Sequence, residues 1–315
     1  MLPLVIVNPA SAGGLTRDSW PRLASDLRTH FGPFSCAFTE RAGDAGVIAA
    51  REAKAGRRLI IACGGDGTIS EVANGILGSD EDTELGVLPS GTGGDFRRTL
   101  GVPSRTADVA RSLREGRSRP LDVGRVTYLN HDGASETRYF LNVVSFGMGG
   151  AVVERVKENP LPLLPGSSSR VLGGRISFAA AALQTALTLS KPTVQLGLDD
   201  GPEFRLRIAN VCVANARYFG GGMKVAPVAK LDDGLLDVVV IGDLSAPSIL
   251  ANSYRIYLGT HLGMRQVHHA RAKRVVVRPV DPCDAGVSIE VDGELAGRLP
   301  ATFEVRPRAL RIRCP

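Results

Sequence analysis

The sequence predicts a two-part α/β chain: an N-terminal doubly wound, mostly parallel α/β domain over residues 1–124 and a C-terminal antiparallel β-sandwich domain over residues 125–302. A last strand at about 303–315 is free to return to the first part. Three observations predict this. The 315 residues, 43% hydrophobic, are enough for two ordinary cores. In the first third, short β-rich runs alternate with amphipathic segments, the pattern of parallel strands joined by crossover helices. After about Val123 the texture changes to many short period-two runs separated by turns, the pattern of an antiparallel sandwich.

The elements follow in order. LVIV (Leu4 to Val7), LIIAC (Leu59 to Cys63) and LGVL (Leu85 to Leu88) read as buried strands, each ending in a Gly-rich or Pro-rich loop, where open α/β sheets carry their ligands. From Ile69 onward, Ile69, Val72, Ala73, Ile76 and Leu77 fall on one helix face. Thr68 with Glu71 predicts a capping box, and Gly78 a stop. The second part reads as strands in GRVTYL, RYFLNVVSF, FRLRIANVCVANA, LLDVVVIGD, KRVVVRPV, VSIEVDGE and FEVRPRALRIR. A helical stretch near Pro247 to Gly259 and an Ala-rich helix, Ile176 to Ser190, interrupt it. That Ala-rich run, fifteen residues long, is short of the roughly 20 a membrane span needs. NPLPLLPGSSSR (Asn159 to Arg170) reads as a surface loop, with Leu161, Leu163 and Leu164 either packed inward or offered to a lipid surface.

Charge and cysteines narrow the function. A net charge of +6 and a pI near 9.3 suit an anionic partner: a nucleotide phosphate, an anionic membrane or nucleic acid. With 5% aromatics and no basic helix interleaved with aromatics, nucleic acid is the poorest of these. Cys36, Cys63, Cys212, Cys283 and Cys314 are widely spaced with no CxxC pair, which reads as reduced thiols in a cytosolic protein. The N-terminus has no positive n-region, so no signal peptide is expected. His268 and His269 have no partner at metal-ligand spacing and read as a surface turn.

Two glycine turns carry the chemistry. In ACGGDGTISEVANG the glycines stand between a buried strand and a helix N-terminus, where unpaired N–H groups and the helix dipole favour an anion. Asp66 within the turn would repel a bare phosphate. It fits if Mg²⁺ on a nucleotide is present, or if the carboxylate orders donors or accepts a proton; a Gly-rich connector with a solvated aspartate remains the plainer alternative for GGDG alone. LGVLPSGTGGDFRRTLG repeats strand, glycine turn and helix start, with Thr92 offering a hydroxyl, Asp95 as N-cap, and Arg97 and Arg98 as cations. No GxxxxGK[ST] loop is present, and no GxGxxG follows a predicted strand.

VNPASAGG, FTERAGDA, GGDGTISEVANG, LPSGTGGDF, LDVG, KLDDGLLDV and VDGE, in that order, resemble the diacylglycerol kinase catalytic-domain family. The family includes bacterial lipid kinases and the sphingosine and ceramide kinases, and is similar in fold to NAD kinase. The resemblance implies ATP in a cleft between an α/β nucleotide-binding domain and a β-sandwich that takes the lipid. It implies nucleotide contacts at Asn8, Thr39, Gly64, Gly65, Asp66, Gly67, Thr68, Ile69, Ser70, Gly91 and Thr92, with Asp66 also catalytic. It implies Glu294 of VSIEVDGE as general base, although Asp292-Gly293-Glu294 by itself reads as a hairpin turn. In KLDDGLLDV it implies a Mg²⁺ held by Asp233 with the carbonyls of Lys230 and Leu235, tied by water to Asp66, Asp95 and Asp122; a solvated hairpin is equally consistent with those residues. Arg98 is expected to support this network. The family's usual GTxNDFAR is broken here by Gly94 for Asn and Arg97 for Ala.

The function this resemblance implies is ATP- and Mg²⁺-dependent phosphorylation of a hydroxyl on diacylglycerol or a sphingoid lipid. The enzyme is expected to be cytoplasmic, in transient peripheral contact with a membrane, without nucleic-acid partners and with homodimerisation left open. NAD kinase-like phosphorylation of a soluble substrate and a non-catalytic nucleotide or lipid sensor are the alternatives. The co-occurrence of Asp66, Asp122, Asp233 and Glu294 disfavours a sensor.

Overall fold

The computed structural model describes residues 1–91, 93–147, 191–281 and 286–314. The Ala-rich stretch 176–190, the leucines of the 159–170 loop, Thr92 and Cys283 lie outside the described residues. The chain divides into two compact units, one of residues 1–123, 231–234 and 306–315, the other of residues 124–230 and 235–305.

The first unit runs β1 (Leu4–Val7), α1 (Leu15–His30), β2 (Ser35–Phe38), α2 (Asp44–Lys54), β3 (Leu59–Gly64), α3 (Asp66–Leu77), β4 (Glu84–Pro89), α4 (Asp95–Leu100) and α5 (Thr106–Glu115). Its strands pair in the order β4-β3-β1-β2, all parallel. Arg311–Arg313, from the end of the chain, add parallel to Glu84–Gly86 of β4. Helices pair as α1 with α5 and α2 with α3. Strands of such a sheet are covered on both faces, so β1 and β3 are apolar and buried throughout. Strand β2, at the edge, alternates half-buried with exposed residues, which is why its SCAF gives no apolar run.

Helix α2 buries Ala45, Ala49 and Ala53, and small residues let α3 approach closely. A Cβ on Gly75 of α3 would lie 2.3 Å from the Gly46 carbonyl oxygen and 2.9 Å from Ala49 Cβ. The expected capping box does not form. Helix α3 starts at Asp66, so Thr68 lies inside its first turn. Glu71 instead accepts the N–H groups of Gly43 and Ala45, at 3.0 and 3.2 Å, and so caps α2. Gly78 closes α3 as expected.

The second unit comprises the later part of β5 (Arg117–Leu129), from Gly124 on, then β6 (Ser135–Phe140), β7 (Val143–Gly147), β8 (Thr193–Leu198), β9 (Glu203–Arg207), β10 (Asn210–Ala214), β11 (Leu236–Ile241), α6 (Ala246–Leu258), β12 (Val267–Ala272), β13 (Arg274–Pro279), β14 (Ser288–Val291) and the first half of β15 (Glu294–Cys314). One antiparallel layer is β12-β11-β10-β7-β14. A second joins β9, β8 and β13 to residues 301–304 of β15. Strand β15 changes layers on the way, pairing with β14 up to Arg298 and with β13 from Ala301.

Period-two residues from both layers fill the space between them, among them Val126, Phe140, Val144, Phe146, Val211, Val238, Val275, Ile289 and Phe303. Phe146 and Phe303 stack with centroids 5.9 Å apart. On the outer face of the first layer, Val143, Cys212, Ala214, Val239 and Val267 form a smaller core, with Ile256 of α6 packed on it. His268 and His269 are not in a turn. They lie in β12 opposite Val240 and Val239, and His269 Nε2 is 2.5 Å from the buried Asp237 carboxylate.

Candidate active site

The first unit brings together three loops, each following a parallel strand. Strand order β2-β1-β3-β4 reverses direction at β1 and β3, and in open α/β sheets ligands bind beyond the carboxyl ends at such a point. After β1 the chain turns through Ala12, Gly13 and Gly14, three successive left-handed residues with φ of 56°, 66° and 92°. Asn8 donates its side-chain amide to Thr68 Oγ1 at 2.9 Å and accepts the Ala10 N–H at 3.0 Å. Thr39 follows β2, its N–H on the Val7 carbonyl at 3.0 Å.

Of the residues Gly64 to Ser70, Gly64 ends β3, Gly65 is the helix N-cap and the rest belong to α3. The N–H of Ile69 already bonds to the Gly65 carbonyl at 3.1 Å, and the Ile69 and Ser70 side chains are buried. The N–H groups of Asp66, Gly67 and Thr68 are those for which an α-helix has no earlier carbonyl. Helix geometry thus leaves these three as the N–H groups of the turn without an intrahelical acceptor.

The loop after β4 closes on this one. Ser90 N–H donates to the Gly64 carbonyl at 2.9 Å, and the buried Thr16 hydroxyl reaches Ser90 from α1. Gly91 faces Gly65 so closely that a Cβ on Gly91 would lie 2.5 Å from Gly65 Cα. Asp66 accepts the N–H groups of Asp95 and Phe96, at 3.1 and 3.0 Å, so its carboxylate caps α4 from the neighbouring loop. Asp95 is therefore not the N-cap. Gly94 precedes the helix, and Asp95 pairs with Arg98 at 2.8 Å. Arg98 also donates to the Gly93 carbonyl. Gly94 is left-handed, φ 65°, a conformation that glycine adopts freely and asparagine tolerates better than most residues.

Asp122 is buried and holds the turn 231–234. It accepts Gly234 N–H at 2.6 Å and Arg308 N–H at 2.8 Å, and its own N–H bonds to the Leu231 carbonyl. Asp233 lies in this turn, with Lys230 and Leu235 flanking it in the chain. Asp66, Asp95 and Asp122 each accept hydrogen bonds from protein donors. Among the described residues no three His, Cys, Asp or Glu side chains form a metal-binding group.

In the second unit Glu294 opens β15 after a two-residue turn, with Asp292 at φ 49° and Gly293 at φ 91°. Positive φ at both positions is the hairpin turn that DG favours. The Asp292 carboxylate accepts three successive N–H groups, from Leu141, Asn142 and Val143, at 2.9, 2.9 and 3.2 Å. Glu294 accepts Arg138 Nη2 at 2.6 Å, an ion pair the sequence reading missed. Burial opposes the Arg138 charge, but Glu294 and Asp292 outweigh it, and the guanidinium is held above its ordinary pKa. Burial, then the bond to Glu136, likewise keep the neighbouring Tyr128 phenol above its usual range.

Two family models match the chain. The diacylglycerol kinase catalytic domain matches residues 3–126, and the YegS C-terminal NAD kinase beta sandwich-like domain matches residues 142–314. The chain is 28% identical over 312 residues to the diacylglycerol kinase of Bacillus subtilis (strain 168), covering 99% of this chain and 95% of that one. It is 32% identical over 281 residues to a protein of Pseudomonas syringae pv. syringae (strain B728a) described as "Probable lipid kinase YegS-like", covering 88% and 82%. A crystal structure of a diacylglycerol kinase from Bacillus anthracis str. Sterne superposes with a TM-score of 0.71 at 23% identity, covering 100% of this chain and 97% of that one, a likeness of fold. The class is thus a kinase, a phosphotransferase with an alcohol acceptor. The chain belongs to the diacylglycerol kinase family of lipid kinases, together with the YegS-like proteins. No helix among its described residues is long and apolar enough to cross a membrane.

Proposed function

We propose that the protein transfers the γ-phosphoryl group of ATP, with Mg²⁺, to a hydroxyl of diacylglycerol or a related lipid, with Glu294 as general base. The observation that carries this is the joining of the glycine turns after β3 and β4 through Gly65, Gly91 and Asp66. Where a Cβ would clash with backbone, only glycine leaves N–H groups open to phosphate oxygens. The residues fit a triphosphate on that ground.

The N–H groups of Asp66, Gly67 and Thr68 hold the phosphates at the positive end of α3. Asn8 keeps Thr68 oriented, and Asp66 fixes the second turn against the first. Asp233 and the carbonyls of Lys230 and Leu235 form an all-oxygen donor set suited to a hard cation, on a turn whose shape Asp122 maintains. When bound, Mg²⁺ neutralises phosphate charge. Glu294 accepts the proton of the lipid hydroxyl as that oxygen attacks phosphorus. The lipid acceptor is the substrate class of the named relatives, and such a substrate calls for a cytoplasmic enzyme that visits a membrane surface, consistent with the net charge of +6.

The test is to incubate the pure protein with radiolabelled ATP, Mg²⁺ and, separately, diacylglycerol in mixed micelles, a total lipid extract and NAD. Label in a lipid and none in NAD supports the reading. Label in NAD alone would overturn it. Glu294→Gln should lower turnover by about 10² to 10⁴.

A further inference from the structure

We propose that Arg138 is a positioning residue for Glu294, its guanidinium fixing the rotamer of the carboxylate that receives the substrate proton. This rests on the reading of Glu294 as general base. Strand β6 carries Glu136, Arg138 and Phe140 on one face, opposite Tyr128, Val126 and Gly124 of β5. That face runs from the exposed Glu136 through the half-buried Arg138 to the sandwich core, where Val126 and Phe140 are fully buried and Tyr128 nearly so. Arg138 thus stands at the rim of the core, with its guanidinium able to turn to a carboxylate. The near carboxylate, Glu136, is engaged by the Tyr128 hydroxyl at 2.8 Å. Arg138 reaches Glu294 instead, 156 residues further along the chain.

Stability alone is a poor account of the pair. The Arg138 side chain is 21% exposed and that of Glu294 42%, and ion pairs open to solvent contribute little. The same short segment holds the neighbouring residue too, because the N–H groups of Leu141, Asn142 and Val143 bind the Asp292 carboxylate. One attachment fixes the backbone of the Asp292-Gly293 turn and the other the direction of the Glu294 side chain. Arg138 binds Oε2, and a carboxylate has two oxygens with which to accept. A base so held starts the reaction already aligned, and misplacement by about 1 Å can cost on the order of 100-fold in rate.

The experiment compares R138M, R138K, E294Q and R138M/E294Q with the wild type, using labelled ATP and diacylglycerol micelles, with thermal melting as a check on folding. The expected result is a kcat for R138M about 10- to 100-fold down, with KM for ATP changed less than about twofold. R138K should recover at least about threefold of that loss, and in the E294Q background R138M should cost less than about threefold more. Wild-type turnover in R138M, with E294Q slow, overturns this inference and leaves the base intact. Equal losses from R138M in both backgrounds also overturn it, since Arg138 would then act independently of Glu294. Wild-type turnover in E294Q removes the base reading and this inference with it. If R138M does not fold, R138Q takes its place with the same criteria.

Discussion

Gly91 packs on the backbone of Gly65 with no space for a methyl group on Gly91, whose Cβ would lie 2.5 Å from Gly65 Cα. Gly91→Ala must therefore separate the two turns that are proposed to hold the triphosphate. The expected outcome is a rise of at least about tenfold in the dissociation constant for a fluorescent ATP analogue, with a stability loss of about 1–3 kcal/mol from overpacking. Fluorescence titration and urea denaturation measure both; unchanged nucleotide affinity would contradict the role given to this contact.

Asp66 serves α4 rather than its own helix. Asp66→Ala strands the N–H groups of Asp95 and Phe96, and a lost cap costs about 1–2 kcal/mol. Asp66→Asn keeps one good acceptor and should fall between the wild type and alanine in urea midpoint. If asparagine and alanine were equally stable to the wild type, the capping function would be absent.

Helices α2 and α3 touch at Gly75. Gly75→Ala drives a methyl into the Gly46 carbonyl and should destabilise by about 1–3 kcal/mol, whereas Gly263→Ala meets nothing within 4 Å and should leave stability within about 1 kcal/mol of the wild type. Chemical denaturation of the pair provides the comparison, and similar midpoints would show that the helices yield.

The buried His261 bonds through Nε2 to the Val225 carbonyl at 2.9 Å, and burial holds its imidazole below the ordinary 6.5. The unfolded chain takes the proton near 6.5 while the folded protein resists it, so stability is complete above that pH and declines as the pH falls from there towards the folded value. His261→Gln should lose less stability than the wild type between about pH 7.5 and 5.5. Parallel stability curves for the two proteins would remove His261 as the source.

Thiol reactivity follows burial. Burial pushes the Cys63 thiol up to about 12, and Cys212 also sits above its usual value, while Cys36 is exposed on the edge strand β2. Brief alkylation at pH 8 followed by peptide mapping should modify Cys36 and spare Cys63 and Cys212. Equal labelling of Cys36 and Cys63 would mean that β3 opens readily.

The parts of this fold legible in the sequence were those governed by neighbours. Leu4 to Val7 and Leu59 to Cys63 are apolar because a parallel sheet is covered on both faces, and the strand reading follows directly. Edge strand β2 and the basic strand β12, with its paired histidines, carry no such run and were missed. The glycine turns were legible because glycine before a helix has few other uses. The partners of their acidic residues were not. Glu71 caps amides 26 and 28 residues earlier, Asp66 caps amides 29 and 30 residues later, and Arg138 finds Glu294 across 156 residues. Such pairings depend on which strands become neighbours, and local spacing does not encode that.

Strand β15 has a consequence for how the protein is made. Its first half belongs to one unit, while residues 306–314 are part of the other, where Arg311 and Arg313 pair with Glu84 at the start of β4. The sheet that β1 begins thus waits for Arg311–Arg313, synthesised long after it, to pair with β4. No single cut in the chain frees either unit whole, and a nascent chain in which residues 306–314 are not yet made presents an open strand edge, the kind of surface on which misassembly starts.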